Sequence, residues 1–250
     1  MQRPFEVILF DLGSTLIYFD GDFDEILRAG YTASYIALKE AGIQVEREAF
    51  LARLQAQMDA YRREREAEFI EYTTHSILRL TLAEFGYPHV PETLTRQAVN
   101  SIYRLTQRYW MVEDDARSTL QELKAEGYRM GLISNAGDGP DVQSLVDQAG
   151  LRGFFDVILV SAELGIRKPN PLIFHRALQF WGVSPQQAAM VGDTLAADIL
   201  GAHNAGIYSI WITRRANAPD NHTHPMAIRP DAKISTLRDL PTLLRTLLPD

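Results

Sequence analysis

Apolar residues follow two different rhythms along this chain. Glu6-Val7-Ile8-Leu9-Phe10 is a short bulky run of the kind that fills a buried strand, and it stops at Asp11. From about Phe23 to Trp110 no comparable strand follows. Ile26, Ala29, Ala33, Ile36, Ala37 and Glu40 recur at spacings of three and four, which predicts an amphipathic helix over 23–41 ended by Gly42. A second helix is predicted from Glu46 past Tyr61 into Arg62-Arg63-Glu64-Arg65-Glu66, a mixed-charge stretch that reads as a solvated face. Further helices are expected over 74–85 and 91–110, separated by the breaker Gly86-Tyr87-Pro88.

After Trp110 the rhythm alternates. Helices are predicted over 114–126, 140–149, 170–181 and 195–205, and strands over 128–133, 155–160, 188–191, 208–213 and 232–234. Strands alternating with helices imply right-handed crossovers and a mainly parallel sheet covered on both faces, a three-layer α/β core. The expected organisation is a core built from 1–18 and 111–250, with an inserted all-helical cap over 19–110. Residues 214–230, with several Asn and Pro, read as a long loop, where His222 and His224 are expected to be solvated rather than metal-bound. Trp110, Trp181 and Trp211 are expected as core or domain-boundary aromatics.

Composition narrows the class. The 250 residues are 46% hydrophobic and 23% charged, enough to bury a sizeable core. No apolar run approaches the ~18 residues that a spanning helix needs, which excludes an integral helical membrane protein. With no cysteine there is no disulfide, no thiolate nucleophile and no cysteine-ligated metal. The N-terminus lacks the apolar stretch of a secretory signal, so a reducing cytoplasm is the expected compartment. A net charge of −7 without a basic block argues against nucleic acid as partner.

The chemistry stands at the strand ends, where parallel sheets collect their ligands. The first strand ends in Asp11-Leu12-Gly13-Ser14 and the second in Ser134-Asn135. Lys168-Pro169 follows the third, and the fourth ends in Gly192-Asp193, with Asp198 five residues on. Clustered carboxylates form a hard oxygen site suited to Mg²⁺ shared with a phosphate. A carboxylate beside such a metal can attack phosphorus and form an aspartyl-phosphate. Ser134 can donate to a phosphate oxygen and Lys168 can set a positive charge against the transferring group.

These residues resemble the motifs of the haloacid dehalogenase-like hydrolases, a superfamily made up mostly of Mg²⁺-dependent phosphatases. The likeness spans nearly the whole chain: four motifs in order on a Rossmann-like core, with a helical insertion between the first two. It implies Asp11 as nucleophile and metal ligand, the Gly13 carbonyl, Asp193 and Asp198 as further ligands, and Ser134, Asn135 and Lys168 around the phosphate. The implied substrate is a small phosphorylated metabolite. One departure stands out: phosphatases of this family usually carry an acid–base aspartate where this chain has Gly13. Losing such a group costs ~10²–10⁴-fold in rate. Asp20, Asp22, Asp24, Glu25 and Asp138 lie near in sequence as substitutes, though hinge and N-cap roles suit them better. Two alternatives stay open: a phosphate-binding regulatory protein without turnover, and a metal-independent haloacid dehalogenase.

Overall fold

The computed structural model of the chain describes residues 3–216, 221 and 228–247, without the side chains of 66–68. His222 and His224 lie outside the described residues. Strands β1 (Val7–Phe10), β4 (Arg129–Ser134), β5 (Val157–Val160), β6 (Ala188–Gly192), β7 (Tyr208–Ile212) and β8 (Ala232–Ile234) form one sheet in the order β5-β4-β1-β6-β7-β8. Every neighbouring pair in it is parallel. The strands read as continuous apolar runs because both faces are buried. Ile8 and Phe10 face one core cluster with Met130, Leu132 and Val191, while Val7 and Leu9 face the other with Ile133 and Met190. Helices cover both faces, as the alternating pattern requires.

Register sets the strand ends level. Phe10 pairs with both Leu132 and Val191, so Asp11, Ser134 and Asp193 emerge on neighbouring central strands at one rim. The first strand sits in the middle of the sheet, which is why its terminal aspartate is flanked on both sides.

Between β1 and β4 stand α1 (Phe23–Glu40), α2 (Arg47–Glu68), α3 (Thr74–Glu84) and α4 (Glu92–Thr106). They close on a hydrophobic core of their own that includes Leu38, Phe50, Leu54, Leu78 and Val99. Asp22 caps α1 through the Glu25 N–H at 2.9 Å, and Thr73 caps α3 through the Ser76 N–H at 3.0 Å. Glycine at position 30 lets α1 approach α4, since a Cβ there would lie 3.0 Å from Ile102 Cγ2.

Besides two short helices that the pattern does not predict, Ser161–Leu164 and Leu240–Thr246, the structure departs from the sequence pattern near the site. The helix expected to reach Trp110 ends at Thr106, and after a 3₁₀ turn the chain forms β3 (Trp110–Val112), antiparallel to β2 (Ile17–Phe19). Three-residue strands are too short for alternation to reveal them. Both domain boundaries expected from the sequence fall within this ribbon. The helix expected from Leu195 begins instead as a π-helical turn, Leu195–Ile199, before α9 (Leu200–Ala205). No helix among the described residues is long and apolar enough to cross a membrane.

Residues 69–71 attach the helical segment to the sheet domain. The Arg167 N–H donates to the Phe69 carbonyl at 3.2 Å and the Glu71 N–H to the Gly165 carbonyl at 3.2 Å. The buried Glu71 carboxylate accepts hydrogen bonds from Tyr61 of α2 and, at 2.8 Å, from Ser161, and lies 3.4 Å from Arg167 Nη1.

Candidate active site

Lys168 is the hub of the rim. Its Nζ donates to Asp11 Oδ1 and to Asp198 Oδ1, both at 2.6 Å, and its side chain is only 1% exposed. Asn135 holds the lysine backbone from both sides: Nδ2 donates to the Lys168 carbonyl at 2.9 Å and Oδ1 accepts from the Lys168 N–H at 2.9 Å. Asp198 is supplied by the π-helical turn, a local widening that recurs at functional sites. Its Oδ2 accepts from the Thr194 N–H at 3.0 Å. Glycine at position 192 makes that approach possible, because a Cβ there would stand 2.3 Å from the Asp198 carboxyl carbon. The Asp193 carbonyl accepts from Trp211 Nε1 at 2.8 Å and from Asn221 Nδ2 at 2.9 Å, so the loop after β6 is braced from two further segments.

Carboxylate oxygens of Asp11, Asp193 and Asp198 lie within 4.8 Å of one another. Burial pushes Asp11 up to about 6, against the pull of Lys168. Burial, then the charges of Asp11 and Asp198, pushes Asp193 up to about 8. Burial also works against the Lys168 charge, but Asp11 and Asp198 outweigh it and hold the ammonium above the ordinary lysine value. Three buried carboxylates against one lysine leave the cluster short of positive charge. A second acidic group, Glu113-Asp114-Asp115, is different: Arg214 reaches all three and Arg215 bonds Glu113, so each carboxylate already has a cationic partner.

The rim opens into a cavity of about 330 Å³. All seven residues singled out in the sequence line it: Asp11, Gly13, Ser134, Asn135, Lys168, Asp193 and Asp198. The Ser134 hydroxyl, at the end of β4, makes no hydrogen bond among the described residues, whereas the Asn135 side chain is engaged by Lys168. A second cavity of about 270 Å³ adjoins it toward the helical segment, sharing Trp110, Asn135, Ala136 and Asp141 and walled further by Tyr31, Tyr61 and Arg65.

A family model described as haloacid dehalogenase-like hydrolase matches residues 5–206. The chain belongs to the haloacid dehalogenase-like hydrolases. A phosphoserine phosphatase of Thermus thermophilus is 30% identical over 249 residues, covering 88% of this chain and 95% of that protein. A glyceraldehyde 3-phosphate phosphatase of Methanopyrus kandleri is 32% identical over 68% of this chain and 72% of its own length. In three dimensions, a 2-haloacid dehalogenase from Pseudomonas syringae superimposes with a TM-score of 0.70 at 23% identity, covering 98% of this chain and 100% of that one, a likeness of fold.

Within this haloacid dehalogenase-like fold, the substitutes considered for an acid at Gly13 stand elsewhere. Asp20, Asp22, Asp24 and Glu25 are exposed and line neither cavity. Asp138 N-caps α6 (Gly139–Gln148) and is bound by Arg96. Asp141 and Arg167, which the sequence pattern does not single out, also line the first cavity, as does Trp110, expected only as a core or domain-boundary aromatic. Asp141 falls in the first turn of α6, where an acid reads as helix stabilisation, so the chain carried no local signal for it.

Proposed function

We propose that the chain is a Mg²⁺-dependent phosphatase that hydrolyses a small phosphorylated metabolite through an aspartyl-phosphate on Asp11. One observation carries the reading: Lys168 joins Asp11 to Asp198 beside Asp193, in a cavity where the Ser134 hydroxyl is free to donate. The phosphatases among the relatives support phosphate esters as the substrate class.

The donor set suits Mg²⁺, being all oxygen and short of positive charge. Asp11, the Gly13 carbonyl, Asp193 and Asp198 would hold the ion, and when bound it supplies the charge that offsets carboxylate repulsion and polarises a phosphate oxygen. The chain itself does the rest. Asp11 attacks phosphorus as the ester bond breaks, Lys168 and Ser134 stabilise the charge on the transferring group, and Asn135 keeps Lys168 in position. Water then attacks the aspartyl-phosphate, the bond to Asp11 breaks and phosphate is released.

We read residues 19–110 as a cap over a core of 1–18 and 111–250. The second cavity, between the two, receives the organic part of the substrate, and closure excludes water from the first. A cysteine-free chain is consistent with the cytoplasm. Neither nucleic acid nor membrane is a partner in this reading.

The test is phosphate release from a panel of metabolite phosphates, with and without chelator, using Asp11→Asn as the blank. Release that needs both Mg²⁺ and Asp11 supports the reading. Binding without turnover across the panel favours a regulatory protein, and halide release from haloacids without Mg²⁺ favours a dehalogenase.

A further inference from the structure

Hydrolysis through Asp11 makes two demands for proton transfer. An alkoxide leaving group must be protonated as its bond to phosphorus breaks, and the water that attacks the aspartyl-phosphate must lose a proton. Six titratable side chains line the catalytic cavity: Asp11, Asp141, Arg167, Lys168, Asp193 and Asp198. Asp11 is the nucleophile, Lys168 is bonded to two carboxylates, and Asp193 and Asp198 are the remaining acidic donors for the metal. Arg167 is charged and faces the buried Glu71. Position 13 offers no side chain, and the space above it belongs to Trp110, whose Cη2 would lie 3.4 Å from an added Cβ.

That leaves Asp141. We propose that Asp141 is the acid–base residue of the phosphatase reaction, working from α6 in the wall of the same cavity that Gly13 lines without a side chain. The inference rests on the phosphatase reading above. Asp141 is 9% exposed and stands where three cavities meet: the catalytic one, the one toward the helical segment, and a polar cleft of about 230 Å³ that also includes Arg104, Gln107 and Asp138. The first gives it the substrate, and the last is a polar route by which a proton can be exchanged with solvent. Gln107 Nε2 donates to Asp141 Oδ1 at 2.8 Å, and among the described residues no donor reaches Oδ2, which is therefore free to work.

The surroundings of Asp141 keep its proton within reach of neutral pH. Burial pushes it up to about 7, the Gln107 hydrogen bond pulls the other way, and the Asp138 charge adds to the rise. Arg96 is occupied by Asp138, and Tyr103 of α4 is half-buried and bonded to Thr74, so neither pairs with Asp141. A carboxyl of this kind serves in both directions at physiological pH. In the first step its O–H proton passes to the ester oxygen as the P–O bond to the leaving group breaks and the Asp11–phosphorus bond forms. In the second, the Asp141 carboxylate takes a proton from water as the water oxygen bonds to phosphorus and the Asp11–phosphorus bond breaks. The balance is ester plus water to alcohol plus phosphate, with Asp141 returned protonated.

Asp141→Asn keeps shape and the Gln107 contact but can neither donate this proton nor accept one. With alkyl phosphates its kcat should fall by ~10²–10⁴-fold. An activated aryl phosphate needs no proton on its leaving group, so the variant should release a rapid burst of phenolate, then turn over slowly with the phosphoenzyme accumulated. Wild type supplies a test that needs no variant: kcat/KM should decline as pH rises through about 7 for alkyl phosphates and not for aryl phosphates. A folded Asp141→Asn with alkyl turnover within about threefold of wild type and no burst overturns the proposal. So does a wild-type profile in which both substrate types fall together. A wild-type chain inert toward the whole phosphate panel fails at the earlier stage, by removing the phosphatase function itself.

Discussion

Asn135 grips Lys168 by its backbone, donating to its carbonyl and accepting from its N–H at 2.9 Å each, while the lysine ammonium reaches Asp11 and Asp198. The lysine therefore owes its position to a residue that follows a different strand. Asn135→Ala removes both restraints. It should lower kcat by ~10–100-fold with a smaller change in KM, since a small misplacement of a charged group is costly near the transition state. Steady-state kinetics on one good substrate decide this. A variant that loses affinity alone would make Asn135 a binding group instead.

Metal binding has a signature in stability. Millimolar Mg²⁺ should raise the melting temperature, the folded state gaining about 2.7 kcal/mol of stability when the ion stands at 100 times its dissociation constant. Asp193→Asn should remove most of that response. In metal-free protein the same variant should melt higher than wild type, because it takes away a buried carboxylate crowded by Asp11 and Asp198.

Glu71 ties the helical segment to the sheet domain, with its buried carboxylate shared among Tyr61, Ser161 and Arg167. Glu71→Gln leaves Arg167 without its counter-charge and should cost about 3 kcal/mol. Hydrogen exchange should quicken at 69–71 and 165–167 before it does in the central strands. Unchanged exchange at those two stretches would mean that the attachment rests on packing alone.

Asp141 also leaves a mark on the pH dependence of folding. Its carboxyl holds its proton up to about 7 in the folded chain but releases it near 3.8 when unfolded. Between those values the folded state binds the extra proton, so this contribution is present below about 4 and lost as pH rises through about 7. Asp141→Asn should flatten that decline. Melting curves across the range should therefore show the variant gaining on wild type from pH 4 to 7 and running parallel above it.

Much of this was legible in the chain. Asp11, Ser134 and Asp193 each stand at the end of a bulky apolar run and so announce themselves as strand ends, and parallel pairing in register brings them to one rim. Asp198 followed from the likeness to the family's fourth motif, though not the π-helical turn that presents it, because that turn needs the bare Gly192 beneath it. The β2–β3 ribbon escaped notice because Ile17–Phe19 and Trp110–Val112 are three residues each and partners across more than ninety residues of chain. Asp141 was hidden for a different reason: its helical position explains an acid without any site, and only the cavity distinguishes it from an ordinary first-turn aspartate.

Gly13→Asp separates a missing acid from a relocated one. With Asp141 already supplying the proton and Trp110 over the new Cβ, the variant should gain nothing on alkyl phosphates. A gain approaching the ~10²-fold typical of a positioned acid would show that the wild-type site lacks one.

The most direct measurement is an acid quench during turnover, followed by locating the phosphoryl group on the digested chain. The expected result is a base-labile acyl phosphate on the peptide containing Asp11, formed only with Mg²⁺ and absent in Asp11→Asn. Persistent phosphatase turnover in Asp11→Asn, with no label on that peptide in wild type, would contradict nucleophilic catalysis by Asp11.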